Sequence, residues 1–289
     1  MRAAAVTTAL TAALFALAGC GNGPGGAPPV QPADLSQAPR AVVWAVGDAA
    51  TPGADAGRVA RMIRRAKPDR FLYLGDVYEN GTAAEFRRWY DPRYGRLART
   101  TIPTIGNHEY GNRFTGYYPY WKGKKGHRQP PWSRSRVAGW QILNLNSQAA
   151  HGPDSAQVHW LERVLDGAAG NCRIAIWHRP RYSAGVVHGV APDLNPLWSR
   201  LAGRARIVLS GHDHNLQRHR AKRGIVQYVA GAGGRGRYGL DRSSTTMLWG
   251  RDDVNGALRI VLKPRRALLE FRRPGGHVLD SSHVSCSPG

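Results

Sequence analysis

Six side chains in this 289-residue chain have the chemistry of metal donors, and each follows a short apolar run. They are Asp48 after Gly47, Asp76 after Gly75, Asn107 after Gly106, His178, and the pair His212 and His214 that opens after Gly211. Two carboxylates, one amide and three imidazoles make a mixed oxygen and nitrogen set suited to Fe, Zn or Mn, and large enough for two ions. With only three cysteines in the chain, the scarcity of thiols argues against a sulfur site. Taken singly, a Gly-Asp after a strand reads as a turn or helix cap, and a lone His as a satisfied surface or core residue. Five such signatures at the ends of successive apolar runs carry far more weight.

Secondary structure must bring these positions together. Ala41 to Val46, Phe71 to Leu74, Ile102 to Ile105, Gln141 to Leu145, Ile174 to Trp177 and Ile207 to Leu209 read as strands. Between them, Val59, Met62, Ile63 and Ala66 recur at helical spacing until Pro68, and Thr82 with Glu85 forms a capping box. Ser155 to Leu165 reads as a helix, and Asn195 with Pro196 opens a short one. Such alternation predicts an α/β sheet, whose strand carboxyl ends line one crevice, so donors far apart in sequence can converge. After Gly224 only strands follow: Ile225 to Val229, Met247 to Trp249, Ala257 to Lys263 and Ala267 to Arg272. A second sheet packed on the first is the simplest way to bury them. Tyr110 to Pro131 lacks periodicity and reads as a loop on the functional rim. Tyr117, Tyr118, Tyr120 and Trp121, interleaved with lysines, suit packing of that loop more than stacking of an aromatic leaving group. Gly231 to Gly236 reads as a turn near the site, with no phosphate-loop or Rossmann spacing.

Composition sets outer limits. A hydrophobic content of 42% excludes a disordered polymer and fits one large domain. Lys and Arg number 41 against 19 Asp and Glu, a formal net charge of +22, which favours anionic substrates or partners. The excess is mostly Arg, whose planar fork suits phosphate, although a compositional bias of the genome gives the same count. Ala3 to Ala18 has the layout of a secretory signal, and Leu17, Ala18, Gly19, Cys20 resembles the lipobox of bacterial lipoproteins. The organisation predicted is a signal over 1–19, a tether over 20–39 from an acylated Cys20, and a domain over 40–289. Its location would be extracytoplasmic, at the membrane or, without acylation, secreted; anionic headgroups would attract the basic body. Cys172 and Cys286 then remain as an even pair in an oxidising compartment and are predicted to form a disulfide, the alternative being two separate buried thiols.

The order Asp48, Gly75-Asp76, Gly106-Asn107-His108-Glu109, His178, Gly211-His212-Asp213-His214 resembles the calcineurin-like metallophosphoesterase superfamily. The likeness covers about Ala41 to Cys286, and Leu143 to Ser147 with His178 to Gly185 is most similar to the purple acid phosphatase branch. The resemblance implies a four-layer α/β/β/α sandwich of two mixed β-sheets flanked by helices. It implies two divalent or trivalent ions bridged by Asp76, with Asp48 and His214 completing one site and Asn107, His178 and His212 the other. Such a pair polarises phosphoryl oxygens and generates a hydroxide nucleophile near neutral pH. His108 would protonate the leaving alkoxide or stabilise its charge, His188 would be a second phosphate contact, and Glu109 would orient His108. The first site departs from the pattern. Ala50 stands where the superfamily has His, and the Tyr that replaces it in purple acid phosphatases falls one residue early, at Tyr78, leaving Glu79 in its place. Either Tyr78, Glu79 or water fills that position.

The function expected is phosphomonoester hydrolysis of a phosphorylated small molecule. A phosphodiesterase or nucleotidase, including one acting on nucleic acid, is the rival within the superfamily. A surface binding lipoprotein with a degenerate metal site is the rival outside it. No protein partner is implied. His127, His151, His159, His219, His277 and His283 are expected to be mostly solvated.

Overall fold

A computed structural model of the chain describes residues 1, 33–166 and 170–287. Residues 2–32, on which the expected signal, Cys20 and most of the expected tether fall, lie outside the described residues. The strands are β1 Ala41–Val46, β2 Arg70–Tyr73, β3 Thr101–Pro103, β4 Ser133–Val137, β5 Trp140–Asn144, β6 Arg173–Ile176, β7 Ile207–Ser210, β8 Leu216–His219, β9 Val226–Ala230, β10 Met247–Arg251, β11 Ala257–Lys263, β12 Arg266–Arg272 and β13 Val278–Ser285. They form a six-stranded sheet of order β13-β12-β11-β1-β2-β3 and a seven-stranded sheet of order β10-β8-β9-β7-β6-β5-β4.

Both sheets are mixed. In the first, β1, β2 and β3 run parallel while β11 adds antiparallel to β1. In the second, β5, β6, β7 and β9 run parallel, and β4, β8 and β10 pair antiparallel at the flanks. The strands after Gly224 therefore do not make a sheet of their own, as the sequence suggested. β9 and β10 extend the second sheet and β11 to β13 extend the first, because each parallel sheet needs its open edge covered and its inner face filled.

Alternation along β1 shows how the layers stack. Val43 and Ala45 join Leu72, Ile174, Leu209, Ile260 and Leu269 in the core between the sheets. Trp44 and Val46 face the other way, onto Val59 and Ile63 of the helix Ala54–Arg65 and an aromatic cluster with Tyr73, Tyr90 and Trp121. On the far side, Leu143, Ala175, Trp177 and Val208 pack on the helices Ala156–Asp166 and Asn195–Leu201. The side-chain period of two thus gives each sheet two apolar faces and the chain four layers. This is the α/β/β/α sandwich the resemblance implied.

Several local expectations change. Thr82 and Glu85 do form the capping box, and the helix it opens runs on through a π turn at Phe86–Tyr90. Tyr110 to Pro131 is not all loop: Tyr117–Lys125 is a helix, with Tyr117, Tyr118 and Trp121 buried at helical spacing. Residues 33–39 do not behave as tether. The Leu35 carbonyl accepts the Ala138 amide at 2.7 Å and its side chain packs on the core, so the folded body reaches back beyond Arg40. His219 is buried rather than solvated, 2.9 Å from Gln217 Oε1 and 3.2 Å from Thr246 Oγ1. Cys172 and Cys286 form a disulfide, which ties the residue after β13 in the first sheet to the residue before β6 in the second.

Candidate metal centre

All six expected donors meet at the carboxyl ends of parallel strands. Asp48 follows β1, Asp76 follows β2, Asn107 begins the short helix after β3, His178 follows β6, and His212 and His214 follow β7. Asp48, Asp76 and His212 hold positive φ angles of 59°, 70° and 71°. This left-handed conformation is costly for residues with a Cβ, and it turns the chain sharply off each strand end. Two glycines let the loops close on one another. A Cβ on Gly75 would lie 2.6 Å from His178 Nδ1, and one on Gly106 would lie 2.0 Å from Asp76 Oδ1.

The donor atoms face each other across short distances. His178 Nε2 lies 3.2 Å from Asp76 Oδ2, 3.0 Å from Asn107 Oδ1 and 3.2 Å from His212 Nδ1. One ligand atom from each of Asp76, His178 and His212 falls within 4.8 Å of the others. On the other side, His214 Nε2 lies 3.5 Å from Asp48 Oδ1. Of Tyr78 and Glu79, it is Tyr78 that turns toward this group. The Tyr78 hydroxyl sits 2.8 Å from Asp48 Oδ1, 3.1 Å from Asp76 Oδ2 and 2.8 Å from His214 Nε2. Glu79 turns away to pair with Arg235, whose guanidinium lies 4.7 Å over the Tyr78 ring.

This arrangement fits metal ions. The His178 Nδ1–H donates to the Leu74 carbonyl at 2.7 Å and the His214 Nδ1–H to the Gly236 carbonyl at 2.6 Å, so each Nε2 faces the centre. Among the described residues no Lys or Arg pairs with Asp48 or Asp76, although both are buried. The chain alone offsets these carboxylates with an imidazolium. Burial opposes a proton on His178, but the Asp76 charge and hydrogen bond, with Asp48 and Glu109, push its pKa up to about 10. Burial also opposes the Asp76 anion, yet His178 and His108 hold its carboxyl well below the usual range. Burial, with the charges of His178 and His188, pushes His212 down to about 2. A bound cation would take over the compensating charge, leaving the imidazoles neutral.

The neighbouring residues sort as follows. His108 Nε2 lies 3.8 Å from Asp76 Oδ2, and its Nδ1 is taken by the Glu79 carbonyl. Glu109 does not orient His108, as the sequence suggested. Its carboxylate accepts the amides of Gly106 at 3.0 Å, Asp76 at 3.1 Å and Val77 at 3.1 Å, clamping two donor loops together. Burial, reinforced by the Asp76 charge, pushes its pKa up to about 8. The His188 ring stacks on His212 with centroids 4.0 Å apart. Sequence reasoning missed Tyr238, which stacks on His214 at 4.0 Å, and Arg235 beneath the Glu79 carboxylate. Both lie in or just beyond the glycine-rich stretch from Gly231, and the proximity of that stretch to the centre was the available signal.

A profile of the family described as calcineurin-like phosphoesterase matches residues 41–216, which include all six donors. Over 164 residues the chain is 29% identical to a protein of Synechococcus sp. named a probable cyclic nucleotide phosphodiesterase, covering 53% of this chain and 60% of that protein. It thus spans less than two thirds of that relative. A purple acid phosphatase from yellow lupin (Lupinus luteus) superposes with a TM-score of 0.73 at 16% identity, over 88% of this chain and 55% of that one. GAP50 of Plasmodium, described as the anchor in the inner membrane complex, superposes at 0.69 with 15% identity, over 86% and 89% of the two chains. At these identities the structures speak for the shared fold of two sheets flanked by helices. The family profile reaches further, since it spans most of the domain and every strand end that carries a donor, and the chain therefore belongs to the calcineurin-like phosphoesterase family of hydrolytic enzymes.

Proposed function

We propose that the chain is a phosphomonoesterase that works through a two-metal centre at Asp48, Asp76, Asn107, His178, His212 and His214. The observation that carries this reading is the convergence of those six donors, from five strand ends, around buried carboxylates that have no Lys or Arg partner among the described residues. Asp76 would be shared by both ions, with Asp48, His214 and Tyr78 on one side and Asn107, His178 and His212 on the other. Bound there, Fe, Zn or Mn would supply Lewis acidity toward the phosphoryl oxygens and toward water.

The protein's own groups do the rest. The carbonyls of Leu74 and Gly236 hold His178 and His214 in the tautomer that presents Nε2. His108 has Nδ1 engaged by the Glu79 carbonyl, so Nε2 is the atom free to carry a proton to a leaving alkoxide.

A second reading, phosphodiester hydrolysis, is favoured by the name of the Synechococcus relative. Paired assays on p-nitrophenyl phosphate and bis(p-nitrophenyl) phosphate, with metal analysis of wild type and Asp76→Asn, separate the readings. Monoester turnover that falls by more than about 100-fold in Asp76→Asn together with loss of bound metal is the expected result. Faster diester turnover would favour the second reading, and inactivity of metal-loaded wild type on both would favour a binding protein. Acylation of Cys20 would hold this hydrolase at an extracytoplasmic membrane face, and Cys20→Ser would then release it into the soluble fraction.

A further inference from the structure

We infer that a small cleft beside His212 is a subsite for a second anionic group on the substrate, and that Arg179 is the residue that selects for it. The inference rests on the reading of the metal centre as the catalytic one. The cleft has a volume of about 150 Å³ and is lined by Arg179, His188, His212, Asp193 and the segment from Gly189 to Pro192. Because His212 is one of the converging donors, a group lodged there would be joined directly to a phosphate held at the centre.

Arg179 is built into this cleft. It directly follows His178, and its amide donates to Ser147 Oγ at 3.1 Å, which fixes the backbone from which the side chain springs. One terminal nitrogen pairs with the Asp193 carboxylate, which also takes His151 Nε2 at 3.0 Å. Asp193 is thus shared between Arg179 and His151. The Nε–H of Arg179 is buried and has no acceptor among the described residues. A guanidinium offers five donors in a rigid fork and stays charged at any ordinary pH. A buried donor left without a partner carries a desolvation cost.

Size decides what enters. Pockets for drug-sized ligands run to roughly 300–1,000 Å³. A cleft of about 150 Å³ admits a carboxylate or phosphoryl group but not a whole nucleoside, and its Arg179 and His188 lining suits an anion better than an apolar ring. The substrate class is therefore a phosphate ester whose leaving group carries a carboxylate or second phosphate a few bonds from the scissile one.

The test is a calorimetric titration of metal-loaded protein with ethylphosphonate, phosphonoacetate and methylenediphosphonate, in wild type, Arg179→Met and Arg179→Lys. The two probes that carry a second anionic group should bind wild type at least about tenfold more tightly than ethylphosphonate. Arg179→Met should collapse that ratio toward one, and Arg179→Lys should keep part of it. Whichever probe loses more in Arg179→Met identifies the second anion as carboxylate or phosphoryl. A ratio unchanged in Arg179→Met would assign the advantage to chelation by the metals and overturn the subsite, as would a wild-type ratio near one. Hydrolysis of p-nitrophenyl phosphate by wild type and its loss in Asp76→Asn report on the catalytic reading separately. With that hydrolysis intact, a failed ratio sinks the subsite alone.

Discussion

The Tyr78 hydroxyl lies 2.8 Å from His214 Nε2 and 2.8 Å from Asp48 Oδ1, so a phenol stands beside these two side chains where Ala50 offers no polar group. Burial and the Asp48 and Asp76 charges keep this phenol well above its usual pKa in the metal-free chain. A ferric ion would reverse that balance, because a cation favours the phenolate. Iron-loaded protein should show a visible phenolate-to-iron absorption band that is absent from Tyr78→Phe, with iron held at least about tenfold more weakly in the variant. Iron-loaded wild type without such a band would exclude Tyr78 as a ligand to ferric iron.

His108 makes a prediction that turns on the leaving group rather than on overall rate. Its Nε2 faces the centre while Nδ1 is tied to the Glu79 carbonyl, so it can give up one proton toward the reacting ester. Replacing it by Asn should slow hydrolysis of alkyl phosphates by about 10²–10⁴-fold. Turnover of p-nitrophenyl phosphate should change far less, since that leaving group departs without a proton. Rates across a series of leaving-group pKa values should therefore fall more steeply in the variant, and parallel lines would refute the acid role.

The same residues show what the sequence makes legible. Each donor was readable because a parallel strand must be apolar on both faces, so a polar residue just past such a run stands out as belonging to the crevice. The strands that escaped notice are those that break this rule. β4, Ser133–Val137, and β13, Val278–Ser285, are edge strands with polar, exposed alternation, and edges favour charge over apolar runs. β8, Leu216–His219, has a single apolar residue and begins two positions after His214, so the motif masked it. The helix Tyr117–Lys125 was hidden by Pro119 and Gly123, although Tyr117, Tyr118 and Trp121 have the spacing of one buried face. Which sheet each late strand joins depends on contacts with strands far earlier in the chain, more than 200 residues in the case of β1 with β11, and no local pattern encodes that. Tyr78 was ambiguous because its position is one residue off the expected register, and only the folded loop shows which side chain turns inward.

The Cys172–Cys286 disulfide spans 114 residues and links the two sheets at their far ends. Closing so long a loop restricts the unfolded chain, and loss of such a bridge costs about 2–5 kcal/mol. At about 2–4 °C per kcal/mol for a domain of this size, Cys172→Ser combined with Cys286→Ser should lower Tm by roughly 5–20 °C. The bridge lies outside the donor group, so metal content at low temperature should be retained. Calorimetry of the oxidised wild type against the double variant checks this, and a fall of less than about 2 °C would contradict the entropic account.

Stability should also depend on pH through His219. Burial pushes its pKa down from 6.5 to about 4, while the unfolded chain keeps the ordinary value. Between these values the unfolded state binds a proton that the folded state refuses, so stability must fall as pH falls through that window. A shift of this size corresponds to about 3 kcal/mol, present in full above pH 6.5 and lost by about pH 4. His219→Gln removes the titration while keeping a group able to hydrogen bond where the imidazole meets Gln217 and Thr246. Urea midpoints measured from pH 7.5 to 4 should drop for both proteins as the carboxylates begin to protonate, but more steeply for wild type. The stability difference, wild type minus variant, should become more negative by about 3 kcal/mol across the window, and a constant difference would show that His219 titrates as an ordinary histidine.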